Sequence, residues 1–310
     1  MKMEFFKRKL YVCGLIIINK NIIDMTTRRA FLKNTGAGLL AMGVSSTFLC
    51  DDLKAMKSAE KPPKKEDLFK VSMAGYTFRF FDIDKTLEMM KKINVNYLCI
   101  KDFHLPLNAT KEECDAFHAK LKSYGVTGYG VGPIYMDKSQ SQIDDAFEYA
   151  KRAGVNLIVG IPKYEDLPYV DKKVKEYGFK YAIHLHGPDN PLYPNAKDIW
   201  DHVKNLDPRI GMCLDIGHNT RDGFDSVEDL KKYYTRVHDI HIKDVTGNTK
   251  QGTTCEMGRG IIDIPAFVKM LRKVKYDGAC SLEYEKDMRD PLPGVAESIG
   301  YFKGVMDATK

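Results

Sequence analysis

The chain has 310 residues, a length that suits one large domain or two smaller ones. Its net charge of +6 comes from residues 1–50, which contain eight Lys or Arg and two Asp or Glu, whereas the remaining residues carry 40 of each. This balance gives no support to a basic surface that binds nucleic acid, and no nucleic-acid partner is expected.

The basic N-terminal region has the pattern of an export signal. Residues 27–33 read TRRAFLK, and the uncharged stretch TGAGLLAMGVSSTFLC follows at 35–50. Twin arginines before a short apolar segment resemble the twin-arginine signal of bacterial export; an amphipathic N-terminal helix is the alternative. We therefore expect an exported, periplasmic protein with its signal in residues 25–50. Residues 1–24 precede a natural start at Met25 and are interpreted as an over-extended start.

A charged, Pro-containing linker is predicted at residues 51–69, between the signal and the folded domain. Cys50 lies at the boundary and would tie the protein to a membrane only if it were lipidated, for which the preceding residues are a poor match. Five of the seven cysteines follow the leader without any C-x-x-C pair, so the sequence does not indicate a disulfide framework.

From residue 70 onward, short apolar runs alternate with longer amphipathic segments. Strands are predicted at 71–76, 97–101, 126–131, 155–161, 180–186, 210–216, 237–243 and 279–285. Helices are predicted at 84–93, 111–124, 140–153, 166–178, 195–205, 225–235, 264–274 and 294–307. Such alternation indicates βαβ units and a parallel sheet. Eight repeats predict a (β/α)8 TIM barrel over residues 70–310, and a doubly wound open sheet is the alternative.

The late strands place ionisable side chains on one face. Residues i and i+2 share a face of a strand, so the apolar residues can pack against helices while the ionisable set faces the barrel axis. That inward set comprises Lys101, His184, His186, Asp215, Asp239, His241, Lys243, Glu283 and Glu285. The active site of such a barrel lies at the C-terminal ends of its strands, and unpaired charges are costly to bury there. The set therefore predicts a metal site, with a hydrogen-bonded polar plug as the alternative.

Four motifs resemble a known family. They read CLDIGH at 213–218, DIHIKDV at 239–245, EMGRGIID at 256–263 and CSLEYEKD at 280–287. In this order they are similar to the xylose-isomerase-like barrels called sugar phosphate isomerases/epimerases, over roughly residues 70–307. That group also includes ketose 3-epimerases, hydroxypyruvate isomerase, inosose dehydratase and 3-keto-glycoside lyases. The resemblance implies a divalent metal held by four side chains, those of His184, Asp215, His241 and Glu283.

The chain departs from the family at His184, where the family often has Glu. In ketose 3-epimerases two metal-bound glutamates exchange a proton across one carbon, whereas here only Glu283 remains as a ligand that could also act as a base. This departure favours one-base isomerisation or β-elimination. Further candidates for proton transfer are Lys101, His186, His218, Lys243 and Glu285. Two imidazoles and two carboxylates suit Mn²⁺, Co²⁺ or Zn²⁺ better than Mg²⁺.

The expected function is a metal-dependent sugar isomerase or epimerase. It would remove a proton next to a carbonyl and form an enediolate stabilised by the metal. A 3-keto-glycoside lyase or dehydratase, which uses the same site for β-elimination, is the alternative favoured by His184 and by export. A non-catalytic sugar-binding barrel is a third interpretation.

The expected partner is a small-molecule sugar or keto-glycoside. His218 is predicted to contact it from the end of the sixth strand. Arg259 is a second candidate, although it fits a surface turn equally well, and His104 could line the pocket or begin a polar loop. A homo-oligomer is possible, because the sequence leaves open whether two barrels pair.

Overall fold

The computed structural model describes residues 67–310, so the predicted start, export signal and Cys50 lie outside the described residues. The strands are β1 (Lys70–Ala74), β2 (Tyr97–Ile100), β3 (Thr127–Met136), β4 (Leu157–Pro162), β5 (Lys180–His184), β6 (Ile210–Asp215), β7 (Val237–Ile242), β8 (Asp244–Val245), β9 (Thr254–Cys255) and β10 (Ala279–Leu282). The described helices are α1 (Ile83–Lys92), α2 (Lys111–Ser123), α3 (Ser141–Arg152), α4 (Leu167–Tyr177), α5 (Ala196–Val203), α6 (Ile216–Arg221), α7 (Ser226–Tyr233), α8 (Ile264–Lys273) and α9 (Leu292–Ala308).

Eight parallel strands close into a barrel in the order β1-β10-β7-β6-β5-β4-β3-β2. The remaining pair, β8 and β9, forms a small antiparallel sheet in the connection after β7. The predicted (β/α)8 barrel is confirmed, with each predicted strand and helix present. The structure adds α6, which begins directly after β6, and extends β3 five residues beyond the predicted end at 131. No described helix combines the length and apolarity that a membrane span requires.

Helix starts are defined by side chains that accept backbone N–H groups. Thr110 and Glu113 form a capping box at α2. The side chains of Asp82, Asp225 and Asp263 accept backbone N–H groups at the starts of α1, α7 and α8. A cap of this kind stabilises a helix by about 1 kcal/mol, because it satisfies a donor without an intrahelical partner.

The alternation of strand side chains separates two cores. The larger core lies between strands and helices and contains residues such as Ile183, Leu214 and Ile240. The smaller one, inside the barrel, consists of Cys99, Leu157, Val159, Ala182 and Cys213, with Tyr129 packed against it. The predicted outward and inward faces of the late strands are thus observed, and the ionisable residues extend the inner set towards the mouth of the barrel.

The two ends of the described chain are joined by one guanidinium group. Arg272 on α8 donates from Nε and Nη2 to the carboxylate of Asp67 at 2.6 and 3.0 Å. The same side chain donates to the Met306 carbonyl at 2.6 Å and to Thr309 Oγ1 at 2.7 Å. We call this group the Arg272 clasp; it ties the segment before β1 and the end of α9 to α8.

Candidate metal centre

Four strand ends meet at one buried cluster at the barrel mouth. His184 ends β5, Asp215 ends β6, His241 lies near the end of β7 and Glu283 follows β10. All four side chains are buried, and their candidate ligand atoms lie within 4.8 Å of one another. Strand register explains the meeting, because Asp215 and His241 are directly paired across β6 and β7.

The distances within the cluster suit one ion. His184 Nε2 lies 3.0 Å from His241 Nδ1, and the latter lies 3.2 Å from Glu283 Oε2. From His184 Nε2 to Glu283 Oε2 and Asp215 Oδ2 the separations are 3.7 and 3.9 Å. Two ligands about 2.1 Å from a tetrahedral zinc lie roughly 3.4 Å apart, a value inside this range.

The two oxygens of Asp215 have different surroundings. Its Oδ1 accepts the backbone N–H of His218 at 2.7 Å and thereby caps α6. Its Oδ2 is buried and makes no hydrogen bond among residues 67–310, although the Lys243 ammonium lies 3.1 Å from it. This oxygen faces the cluster, and with two imidazoles and Glu283 it completes an N/O donor set. The residues present therefore fit a divalent ion.

Lys243 supplies a positive charge beside this cluster. Its side chain is 1% exposed, and Nζ lies 3.1 Å from both Asp215 Oδ2 and Glu283 Oε2. The ammonium also contacts the Glu285 carboxylate. Burial acts to lower the pKa of Lys243, but these carboxylates hold that pKa well above its ordinary value. A Cβ on Gly217 would lie 2.2 Å from Lys243 Cγ, so only glycine leaves room for this side chain.

The same charges govern the protonation of the ligands. Burial favours a higher pKa for Glu283, but His241 and Lys243 outweigh it and hold the pKa well below its ordinary value. Burial opposes a charge on His241, yet the Glu283 carboxylate raises the pKa of this imidazole to about 9. The metal-free cluster therefore consists of ionised acids facing cationic partners.

A cavity of about 360 Å³ opens onto the cluster at the mouth of the barrel. The predicted site residues on its walls are Lys101, His184, His186, His218, Glu283 and Glu285. Asp215, His241 and Lys243 are not on its walls, although each contacts residues that are. Five further wall residues are not among the predicted site residues, namely Tyr76, Pro133, Tyr135, Asp189 and Asn190. Tyr76 ends the predicted first strand, so its position was a usable signal.

Two imidazoles form one side of the cavity. His186 Nε2 lies 2.8 Å from the Tyr135 hydroxyl, and burial together with the charge of His184 lowers the pKa of His186 to about 3. Burial and the charge of Lys243 lower the pKa of His218 to about 3 as well. Both rings are therefore neutral at neutral pH. Gly187, at φ +66°, lets the loop after β5 approach α6, since a Cβ there would lie 2.7 Å from the His218 carbonyl oxygen.

Two predicted substrate contacts lie away from the cavity. Arg259 is 60% exposed and donates to both carboxylate oxygens of Glu297 on α9, at 2.5 and 2.8 Å. His104 Nε2 lies 3.1 Å from the Phe81 carbonyl and 3.3 Å from Thr86 Oγ1. The structure therefore gives these two residues partners within the fold and places neither of them on the cavity wall.

Several known proteins are similar to this chain. An inosose dehydratase of Mesomycoplasma hyopneumoniae is 24% identical over 233 residues, which cover 67% of this chain and 72% of that protein. An inosose dehydratase of Geobacillus kaustophilus is 28% identical over 146 residues, 42% of this chain and 45% of its own.

Solved structures share the barrel. An uncharacterized protein from Parabacteroides distasonis has a TM-score of 0.61 and 24% identity, covering 76% of this chain and 99% of its own. An IolI protein with a bound zinc atom has a TM-score of 0.61 and 17% identity, covering 78% and 98%. Residues 88–305 match the family described as Xylose isomerase-like TIM barrel, and the chain belongs to that family.

Proposed function

We propose that the protein is a metal-dependent enzyme that eliminates water or an alcohol from a small keto sugar or cyclic keto-polyol. The observation that carries this proposal is the buried set His184, Asp215, His241 and Glu283 beside an open cavity. Relatives named inosose dehydratase support elimination over the expected isomerisation. A solved structure described as a probable 3-DHS dehydratase shares the fold at 12% identity.

The four ligands named above would hold one divalent ion. When bound, such an ion acts as a Lewis acid that polarises a carbonyl or hydroxyl oxygen of the substrate. Mn²⁺, Co²⁺ and Zn²⁺ suit the mixed nitrogen and oxygen donors, and the zinc in the IolI structure is consistent with that set.

Proton removal next to the carbonyl is assigned to Glu285. Glu283, which also lines the cavity, is a poorer base because its pKa is held well below the ordinary value. The Glu285 side chain is 26% exposed, and its Oε2 lies 4.0 Å from His218 Nε2. Lys243 contacts Glu285 and keeps a positive charge next to the position where negative charge develops.

Protonation of the departing oxygen is assigned to Tyr135. Burial raises the pKa of this phenol, which therefore carries its proton at neutral pH. His186 lies 2.8 Å away and orients the hydroxyl at the cavity. Base and acid thus come from different walls. After each turnover Glu285 releases the proton that it took from the substrate and Tyr135 regains the proton that it donated, both by exchange with water.

Isomerisation or epimerisation is the second candidate, because it shares the first proton transfer. Acid–base groups on two walls, Glu285 and the Tyr135–His186 pair, would allow the carbon to be reprotonated. Binding of a sugar without chemistry is the third interpretation.

One experiment separates these functions. The full chain, loaded with Zn²⁺ or Mn²⁺, is incubated in D₂O with an inosose and, separately, with a 3-keto-glucoside. Elimination predicts a product lighter by one water, or a released aglycone. Deuterium incorporation with no loss of mass as water or alcohol means isomerisation or epimerisation. Absence of both, with metal bound, leaves a sugar-binding barrel and overturns the enzymatic proposal.

Export to the periplasm remains a separate proposal, supported by TRRAFLK at residues 27–33. Substitution of both Arg28 and Arg29 by Lys is expected to retain the protein in the cytoplasm. Fractionation of cells that produce each form measures this, and equal periplasmic amounts would contradict it.

A further inference from the structure

A second buried carboxylate lies behind the metal ligands. Asp239 is in the middle of β7, two residues before His241 and on the same inward face, and it is fully buried. It does not line the cavity, and the proposed reaction does not use it. A buried carboxylate is costly unless its surroundings stabilise it.

Uncharged donors hold Asp239 in place. The Tyr129 hydroxyl lies 3.1 and 3.2 Å from the two carboxylate oxygens, and the Cys213 thiol lies 3.7 Å from Oδ2. Tyr129 in turn contacts Ser281 Oγ, which lies 2.6 Å from Ser72 Oγ. These contacts fix the orientation of the carboxylate but do not neutralise its charge.

The imidazole of His241 lies between the two acidic sites. Its Nδ1 faces the proposed ligands, 3.0 Å from His184 Nε2 and 3.2 Å from Glu283 Oε2. Its Nε2 is buried without a hydrogen-bond partner among the described residues, and Asp239 Oδ2 lies 3.8 Å from it. This separation is too long for a hydrogen bond, so the carboxylate acts on the ring through its charge.

A neutral imidazole carries one proton, and the surroundings of the other nitrogen decide which one bears it. An anion beside Nε2 favours the proton there, which leaves the lone pair of Nδ1 directed at the ligand cluster. Metal-bound histidines commonly donate the N–H of their other ring nitrogen to a carboxylate, a carbonyl or water, and loss of that partner weakens metal binding about 10- to 100-fold. Asp239 is the carboxylate on that side of His241, and at 3.8 Å it acts through its charge. His184 faces the cluster with its other ring nitrogen, since Nε2 is the atom that lies near Asp215 and Glu283.

We propose that Asp239 is a positioning residue that keeps His241 protonated at Nε2 and so presents Nδ1 to the metal. Tyr129 and Ser281 hold the carboxylate in the orientation that this role needs. The inference rests on the proposed function only in requiring that the four-residue cluster binds a metal.

Zinc affinity of the full chain tests the inference through competition with a chromophoric chelator. Asp239→Asn is expected to weaken zinc binding by about 10- to 100-fold. Ser72→Ala, at the far end of the same hydroxyl chain and equally buried, is the matched control and should remain within about twofold, since Ser72 contacts neither Asp239 nor His241. Unfolding midpoints of the metal-free forms distinguish a loss of stability from a loss of zinc affinity. A purely structural role of Asp239 would lower the midpoint and leave the zinc dissociation constant unchanged.

A measurement on the wild-type chain covers the case in which Asp239→Asn does not fold. Long-range ¹⁵N–¹H spectra of zinc-loaded protein with labelled histidine should show His241 protonated at Nε2. Protonation at Nδ1 overturns the inference, as does an unchanged zinc affinity in a folded Asp239→Asn variant. If the wild-type chain binds no zinc, the proposed function fails with it, and that result is distinguishable from the other two.

Discussion

The two halves of the barrel mouth carry different chemistry. Strands β5, β6, β7 and β10 end in imidazoles and carboxylates that are almost fully buried. On the side of β1, β2 and β3 the cavity is lined by Tyr76, Lys101 and Tyr135, of which Tyr135 is 50% exposed. The ammonium of Lys101 donates a hydrogen bond to Asp102 at 2.5 Å.

Under the proposed function, this difference separates the residues that would hold a metal from those that would contact a substrate. Ligand atoms must keep fixed distances, which burial and hydrogen bonding in the second half provide. Hydroxyls and a neutralised lysine in the first half suit an uncharged polyol better than a phosphorylated sugar. The following changes test whether the two halves are as distinct as their structure indicates.

The largest effect is expected from removing a ligand. His241→Ala should abolish stoichiometric metal binding and lower turnover by at least about a thousandfold, because polarisation of the substrate oxygen is lost. His238→Ala is the matched control on the same strand; its ring bonds the Pro208 carbonyl at 3.0 Å on the other face. Elemental analysis and turnover assays measure both variants. A metal content equal to that of the wild type in His241→Ala would contradict the assignment.

The next effect concerns the two lysines, one from each half. Lys243→Met should destabilise the metal-free protein by about 3 kcal/mol, because it leaves buried carboxylates without their cation. Lys101→Met, whose partner is the half-exposed Asp102, should cost about 1 kcal/mol or less. Urea unfolding with and without saturating zinc measures both, and zinc should recover part of the Lys243→Met loss. Equal losses in the two variants would remove the distinction between the halves.

A smaller effect is expected in the first half. Tyr135→Phe should lower kcat roughly a hundredfold, as loss of a general acid does, while metal content stays unchanged. Tyr234→Phe is the control, since Tyr234 is similarly exposed but precedes β7 at the opposite end of the barrel. Steady-state kinetics with metal analysis distinguish the roles; loss of metal from Tyr135→Phe would show that the halves are not separable.

The smallest effect is expected at Arg259. Because this side chain pairs with Glu297 outside the cavity, Arg259→Ala should change kcat and KM by less than about twofold. An exposed pair of this kind contributes little to the free energy of unfolding, because solvent screens its charges. A tenfold rise in KM would return Arg259 to the substrate site and weaken the boundary drawn around the cavity.

The sequence could predict which side chains of the late strands face the barrel axis, because their placement depends on local periodicity. Alternation along a strand puts Asp215 and His241 on the face opposite to Leu214 and Ile240, and eight repeats place those strands side by side. Strand ends were also predicted to within three residues for seven of the eight barrel strands. The exception was β3, which continues past the predicted end at 131 and through Pro133, with a register shift between Val131 and Ile134.

Contacts between distant segments could not be predicted from spacing. The pairing of Arg259 with Glu297 spans 38 residues and depends on how α9 packs. The hydroxyls around Asp239 come from β3 and β10, which meet only because the barrel closes. Tyr135 was not among the predicted site residues for the same reason, since His186, its hydrogen-bond partner, lies on another strand connection.

The Arg272 clasp has a consequence for the connectivity of the barrel. Because one guanidinium holds both Asp67 and Thr309, the two ends of the described chain lie side by side. Adjacent ends make a domain tolerant of circular permutation. A permutant that joins them and opens at the exposed Gly154, between α3 and β4, keeps every strand continuous at the mouth. We therefore expect the cluster of His184, Asp215, His241 and Glu283 to form in that permutant, although its eight repeats are synthesised in a different order.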